Sequence, residues 1–222
     1  FLGVTMVNGI VFILYNIGKE SLIDLNSNPW ESYLGRGMQS YSFFFWTPFL
    51  ILLVSAMLYL EHKAESWKIL FTLPSKPSSI ILYKLLSILI CVGLVLLLQI
   101  GGFYIVPILI NFFIPEFEFW FYQPNFNELI QFSGNLFAYS LGIIGIQYCL
   151  STLISNQIVS IGVGFFSFIV GFMLAIQKSQ LASFFPYSFP ADARGSTSIT
   201  AIGISVATFI LFTLITLKKN NN

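Results

Sequence analysis

Tyr41 to Leu60 is a run of 20 residues without a charged side chain, and it constrains the fold more than any other stretch of the sequence. As a helix rising 1.5 Å per residue, the run is about 30 Å long, which matches the hydrocarbon core of a bilayer. Composition agrees, because 56% of the 222 residues are hydrophobic, only 9% are charged, and the mean hydropathy is +0.84. So little polar surface cannot coat a soluble globule. The sequence therefore predicts an all-α, polytopic membrane protein.

Charged and helix-breaking residues divide the chain into further apolar runs. Six spans are predicted within one transmembrane domain covering residues 1–222, at about 1–17, 41–60, 80–110, 128–154, 158–176 and 199–217. The first run lacks the basic start and the cleavage site of a signal peptide, so we expect it to be the end of a span whose upstream residues precede Phe1. Residues 18–40 contain breakers such as Gly35 and Gly37 and are predicted as an external loop. Residues 111–127 are rich in aromatic side chains and are predicted to lie at the membrane interface.

The basic residues set the predicted orientation. With residues 61–79 and the C-terminus in the cytoplasm, six of the ten lysines and arginines lie inside: Lys63, Lys68, Lys76, Lys84, Lys218 and Lys219. Loops on the cytoplasmic side carry an excess of these residues, so both termini are predicted to be cytoplasmic. The charges are spread over separate loops and form no basic patch, which argues against a nucleic-acid partner.

Residues 61–79 form a charged, amphipathic stretch between two apolar runs. At about 100° per residue, Trp67 falls on the apolar arc of a helix, whereas Glu61 and Glu65 fall on the opposite arc. Pro74 then ends the helix before the next span begins. The pattern predicts a helical elbow on the membrane surface, with Trp67 at the depth of the lipid headgroups. A plain loop between two spans is the alternative.

The elbow also carries a sequence pattern: an acid, a Trp-Lys pair, a Leu-Pro step and then lysines that open the next span. The matching residues are Glu61, Glu65, Trp67, Lys68, Leu73, Pro74, Lys76 and Lys84. This pattern resembles the permeases of ABC-2 type exporters, and most of all those of lantibiotic and bacitracin-type immunity transporters. Trp30-Glu31 and Trp46-Thr47-Pro48 fit the same resemblance. It implies a coupling helix that contacts a separate ATPase through these residues: Glu61, Lys63, Glu65, Trp67, Lys68 and Lys76.

A second element of the resemblance lies within residues 177–198. Pro186, Tyr187, Ser188 and Pro190 resemble a Pro-aromatic-Ser-x-Pro element of immunity permeases, with tyrosine where tryptophan is commoner. The segment is too apolar for a solvent loop and too rich in proline for a span. The resemblance implies an external re-entrant hairpin that includes Phe185, which we expect to pack between the fifth and sixth spans. A plain interfacial anchor is the alternative.

Polar and small residues inside the predicted spans form two further sets. The amides of Gln99, Asn135 and Gln147 must find hydrogen-bond partners on other helices or face a wet pathway, because an unpaired amide is costly in lipid. The second set is a stripe of small residues in the fifth span: Ser160, Gly164, Ser167 and Gly171. Such a stripe permits close helix packing, either within the chain or against a second permease.

Several enzyme classes are excluded by the sequence. The only histidine, His62, lies in the elbow rather than beside a serine within a span. Asp24 and Asp192 both fall in predicted loops, so they cannot pair at membrane depth. Cys91 and Cys149 lie within apolar runs and are interpreted as packing residues. No G-x-x-x-x-G-K-[ST] phosphate loop and no metal-ligand spacing occurs, so we predict a subunit without its own catalytic site, cofactor or metal.

The resemblance implies the remaining expectations about function. The chain would be the permease subunit of an ATP-driven exporter in the bacterial cytoplasmic membrane. It would work with an ABC ATPase that binds ATP and magnesium, and with a second permease that is either identical or homologous. The expected substrate is an amphipathic peptide such as a lantibiotic, expelled for immunity and antibiotic resistance. The alternatives are export of a lipid or glycan precursor, or a membrane assembly scaffold without transport.

Overall fold

The computed structural model describes residues 9, 10, 13, 28–63, 77–154, 156–195 and 197–221. Within these ranges all regular structure is helical. The α-helices are α1 (Pro29–Ser40), α2 (Thr47–Lys63), α3 (Pro77–Phe113), α4 (Phe126–Leu153), α5 (Gln157–Ile176) and α6 (Ile199–Asn221). A π-helical segment, Tyr41–Trp46, joins α1 to α2.

Five helical stretches are long and apolar enough to cross a membrane: Pro29–Tyr59, Ser79–Phe113, Phe126–Leu153, Gln157–Ile176 and Ile199–Lys218. They correspond to the second through sixth predicted spans, which confirms an all-helical, multi-pass architecture. The predicted first span lies almost wholly outside the described residues, and so do residues 64–76 of the elbow. A sixth span and a coupling helix therefore stay predictions.

The predicted external loop at residues 18–40 is wrong from Pro29 onwards. The side chain of Asn28 accepts the backbone N–H of Trp30 at 3.0 Å and caps α1, while Pro29 occupies the first turn, where its missing N–H costs nothing. Gly35 and Gly37 do not break the helix. A Cβ at Gly37 would lie 2.7 Å from the Phe103 ring, so this glycine lets α1 pack closely against α3.

The π-helical segment lies directly before Pro48. Because proline has no N–H to donate, the regular hydrogen-bond ladder is already interrupted at this point, and a wider turn is tolerated there. The segment is tied to α4 by Trp46, whose indole N–H donates to the Ser140 hydroxyl at 2.8 Å. The helix therefore runs without a break from α1 into α2, and the second span starts 12 residues earlier than predicted, over the length of α1.

Helix α4 is the centre of the bundle. In the most apolar part of α4, 61% of the residues are buried within the chain, compared with 17% in the corresponding parts of both α5 and α6. It packs most extensively along α6, where a Cβ on Gly145 would lie 2.7 Å from the Cα of Phe209. The lower burial of α5 and α6 leaves much of their apolar surface facing outward, as expected for helices in contact with lipid.

The segments before α4 and before α6 contain short 3-10 helices. Pro115–Phe117 and Phe119–Phe121 follow α3, which extends three residues beyond the predicted span. Gln180–Phe184 and Pro186–Asp192 connect α5 to α6. Each connection is folded against the helices, and neither crosses the bundle.

Candidate functional site

The predicted coupling helix has only its first residues within the described part of the chain. Glu61 and Lys63 belong to the last turn of α2. Glu65, Trp67, Lys68 and Lys76 lie outside the described residues. Within the described residues, α2 continues through the first three residues of the predicted elbow, 61–63.

A buried polar cluster joins α2, α4 and α5. The Gln147 amide on α4 donates to the Ser55 hydroxyl on α2 at 2.8 Å and to the Ser160 hydroxyl on α5 at 3.3 Å. Ser151 is hydrogen-bonded to Ser160 at 2.8 Å, and all four side chains are buried. We call these four residues the serine–glutamine cluster. The sequence identified Gln147 and Ser160 as members of separate sets and gave no sign that Ser55 and Ser151 would join them.

The small-residue stripe of α5 lies against the rest of the chain. A Cβ at Gly164 would lie 2.8 Å from Ile51 and 2.5 Å from the Gln147 side-chain oxygen, so only glycine fits beside the cluster. A Cβ at Gly171 would lie 2.7 Å from the backbone carbonyl carbon of Tyr187. Ser167 is only half-buried and donates to the Val163 carbonyl of its own helix.

The segment predicted as a re-entrant hairpin buries its middle part. Pro186, Tyr187, Phe189 and Pro190 are buried, whereas Phe185 is half-buried. As predicted, this segment packs against the fifth span, α5, but its other main neighbour is the central helix α4, and its contact with α6 is smaller. Glycines on those two helices, Gly171 and Gly142, provide the space: a Cβ at Gly142 would lie 3.1 Å from Pro186.

Three contacts fasten the end of this segment to α4. The Asn135 amide donates to the Ala193 carbonyl at 2.9 Å, and its oxygen accepts from the Thr197 hydroxyl at 3.0 Å. Arg194 forms an ion pair with Glu128 at 3.1 Å. Asn135 therefore anchors the connection, and its polar atoms are satisfied within the chain.

Gln99 differs from the other two amides. Its side chain is 1% exposed, and within the described part of the chain neither its nitrogen nor its oxygen has a hydrogen-bond partner. The buried hydroxyls of Tyr41 and Tyr187 also have no hydrogen-bond partner among the described residues. A buried amide without a partner is destabilising, so the Gln99 side chain satisfies neither prediction for it in the residues that the structure describes: it bonds to no other helix and it faces no wet pathway that the structure shows.

An aromatic cavity of about 440 Å³ lies between α1, α3 and the segment before α4. The Trp30 ring stacks on Tyr104 with centroids 5.8 Å apart, and its N–H donates to the Phe119 carbonyl at 3.0 Å. The sequence singled out Trp30 only through the family resemblance. Its neighbours come from three separate parts of the chain, so their spacing carried no signal.

The described residues contain no group of three or more His, Cys, Asp and Glu side chains suited to a metal ion. Neither Cys91, which is half-buried, nor Cys149, which is buried, forms a disulfide within the described part of the chain. These positions supply no nucleophile beside a base, and the geometry of the bundle is that of packed membrane helices with a small polar cluster.

Comparison with known proteins gives one match. The family model described as "ABC-2 family transporter protein" matches residues 1–171. No curated protein and no solved structure matches the chain.

Proposed function

The chain belongs to the ABC-2 family of transporter proteins, and on that premise we propose that it exports an amphipathic peptide, such as a lantibiotic, for self-protection. Membership makes the chain a membrane permease subunit of an ABC transporter and implies an ABC ATPase partner and a surrounding bilayer. Beyond family membership, we propose the substrate, a location in the bacterial cytoplasmic membrane, and an orientation with both termini in the cytoplasm.

The observation that carries the substrate proposal is the apolar character of the connections between spans. Trp120, Phe121 and Phe184 are 66%, 82% and 71% exposed although they lie in connections and not in spans. Exposed aromatic side chains at a membrane interface contact amphipathic molecules well and small ions poorly. Their chemistry supports a peptide with apolar and polar faces.

We further propose how the ATPase drives the permease. ATP and magnesium bind to the partner, which acts on the elbow at residues 61–79 as a coupling helix. Displacement of the elbow moves α2, because Lys63 and Ser55 belong to the same rigid helix. The serine–glutamine cluster passes this movement to α5, and the contact between Gly171 and Tyr187 passes it to the re-entrant segment. This chain of contacts is a physically continuous route between the two ends of the bundle.

The second permease completes the proposed exporter, as an identical chain or a homologue. The outward faces of α5 and α6 are the surfaces left for it and for lipid, since only 17% of each apolar window is buried within the chain.

The proposal is tested by resistance. A lantibiotic-sensitive bacterium that expresses this chain with its ATPase and second permease is expected to survive several-fold higher peptide concentrations, and to release cell-bound peptide into the medium. The control is the same complex with an ATPase that cannot hydrolyse ATP. Unchanged resistance combined with a changed amount of a lipid or glycan precursor on the cell surface would contradict the peptide proposal and favour the alternative substrate.

A further inference from the structure

A second cavity, of about 320 Å³, lies where α5 ends and α6 begins. Its charged lining residues are Lys178 and Asp192, and its hydroxyl-bearing lining residues are Tyr139, Ser179, Ser183, Ser198 and Thr200. Because α5 and α6 are both long enough to cross a membrane, the junction at their ends lies at the depth of the lipid headgroups. The cavity is therefore small and, at this depth, presents charged and hydroxyl groups beside apolar ones such as Phe189.

The two charges face the same space without neutralising each other directly. Within the described part of the chain, neither Lys178 nor Asp192 takes part in an ion pair. Burial raises the pKa of the Asp192 carboxyl, and the Lys178 ammonium acts on it in the opposite direction. The cavity thus offers one cation and one anion to a ligand, with hydroxyl groups around them.

The backbone at Lys178 is unusual. Its φ is 48°, in the left-handed region, and the Ser179 N–H bonds back to the Leu174 carbonyl at 3.1 Å while the Lys178 N–H bonds to Ala175 at 3.1 Å. These two bonds are those of a Schellman helix end, at which glycine is the usual residue. Glycine would be less strained there, so a lysine at this position favours a role for its side chain, although Glu118 shares the conformation.

Three large apolar side chains next to lining residues in the sequence are exposed. Ile176, Leu181 and Ile199 are 56%, 65% and 83% exposed. A water-soluble ligand would gain nothing from these side chains, whereas a molecule with a charged head and hydrocarbon tails would cover them. The combination of a dipolar cavity and these exposed apolar side chains selects an amphiphile.

We propose that this cavity binds the phosphoethanolamine headgroup of a bilayer lipid. The phosphate oxygens accept hydrogen bonds from the Lys178 ammonium and the neighbouring serine hydroxyls, while the primary ammonium of the lipid donates to the Asp192 carboxylate. A phosphocholine headgroup has no N–H to donate to Asp192, and a phosphoglycerol headgroup has no cation to place there. The inference goes beyond peptide export and does not depend on it.

The test uses native mass spectrometry of the full chain, purified in detergent and supplied with phosphatidylethanolamine, phosphatidylcholine or phosphatidylglycerol. One bound phosphatidylethanolamine is expected to persist at activation energies that remove the other two lipids. Lys178→Gln and Asp192→Asn are each expected to weaken this binding about tenfold, because each removes one charge-assisted contact. The charge exchange Lys178→Asp with Asp192→Lys is expected to restore part of the binding, since the headgroup can turn round.

Matched controls remove similar charges elsewhere: Lys218→Gln at the other end of α6 and Glu116→Gln in the segment before α4. Lys178→Gly provides a further readout, because it relieves the backbone strain. It is expected to raise the melting temperature while weakening lipid binding, which a merely structural lysine would not do. Equal binding of the three lipids, equal effects of the control variants, or equal displacement by water-soluble glycerophosphoethanolamine would overturn the proposal.

Discussion

Gly171→Ala is expected to destabilise the protein through one identifiable contact. The new Cβ would lie 2.7 Å from the backbone carbonyl carbon of Tyr187 and 2.8 Å from its Cβ. Backbone atoms cannot rotate away as the end of a flexible side chain can. Either α5 or the segment that contains Tyr187 must therefore shift. Overpacking of this kind costs about 1–3 kcal/mol.

Gly162→Ala is the matched control, because Gly162 lies on the same helix and a Cβ there would meet no atom within 4 Å. Both substitutions gain the same helix propensity, up to about 1 kcal/mol, so the difference between them isolates the contact with Tyr187. We expect Gly171→Ala to be less stable than Gly162→Ala by about 2 kcal/mol.

The assay is reversible unfolding in mixed micelles titrated with sodium dodecyl sulfate, followed by circular dichroism. Transport by the same two variants, reconstituted with the ATPase in lipid vesicles, shows whether a shift of residues 186–192 also slows export, as the proposed route through α5 requires. Equal unfolding free energies for the two variants would refute the packing argument. Equal free energies of unfolding combined with unequal transport would show that the contact serves movement rather than stability.

Three further predictions concern the other parts of the proposal. Gln147→Leu is expected to lower the free energy of unfolding by about 1 kcal/mol, because interhelical polar bonds average about 0.6 kcal/mol and Gln147 bonds to both Ser55 and Ser160. The control is Gln131→Leu, at an exposed position on the same helix. An equal loss of unfolding free energy in the two variants would count against the cluster. The double reversal Glu65→Lys with Lys68→Glu is expected to weaken co-purification with the ATPase and ATP hydrolysis coupled to transport, and unchanged values of both would remove the coupling role. In a background without Cys91 and Cys149, single cysteines at Asn125 and Thr197 are expected to react from outside the cell and one at Asn221 only after permeabilisation, so reaction of the last in intact cells would invert the orientation.

Hydropathy predicted the spans well because membrane helices need long apolar runs whatever their neighbours are. The prediction failed at Gly35 and Gly37. Glycine ends many helices, but at these two positions it lets another part of the chain approach the helix closely. The neighbours are Arg194 and Phe103, each far away in the sequence. No local pattern contains that information, so the loop predicted at residues 18–40 included a helix.

The polar residues show the same limit. The cost of an unpaired amide in lipid predicted that Gln147 needs a partner, but it could not name Ser55 and Ser151, because serine is common in spans and bonds readily to its own helix. The composition of residues 177–198 predicted a segment that is neither a membrane span nor a solvent-exposed loop. Its contact with α5 was predicted, but its contact with α4 was not, since that contact depends on the room left by a glycine, Gly142.

The two ends of the small-residue stripe together fix the position of α5 along its axis. Ser160 and Gly171 are separated by about 16 Å along the helix. A slide by about one turn, four residues, would bring either Gly164 or Asn156 to the place of Ser160, and either Ala175 or Ser167 to the place of Gly171.

Every one of these exchanges changes both contacts at once. Gly164 has no hydroxyl to accept the Gln147 N–H, while Ala175 and Ser167 each carry a Cβ that would meet the Tyr187 backbone. The glycine contact therefore opposes sliding in either direction, whereas the cluster opposes only the slide that brings Gly164 to the place of Ser160, because the Asn156 side chain could accept the Gln147 N–H in the other. Because a slide of α5 past Tyr187 would produce this clash, we expect a sliding movement that α2 passes to α5 to displace residues 186–192 as well.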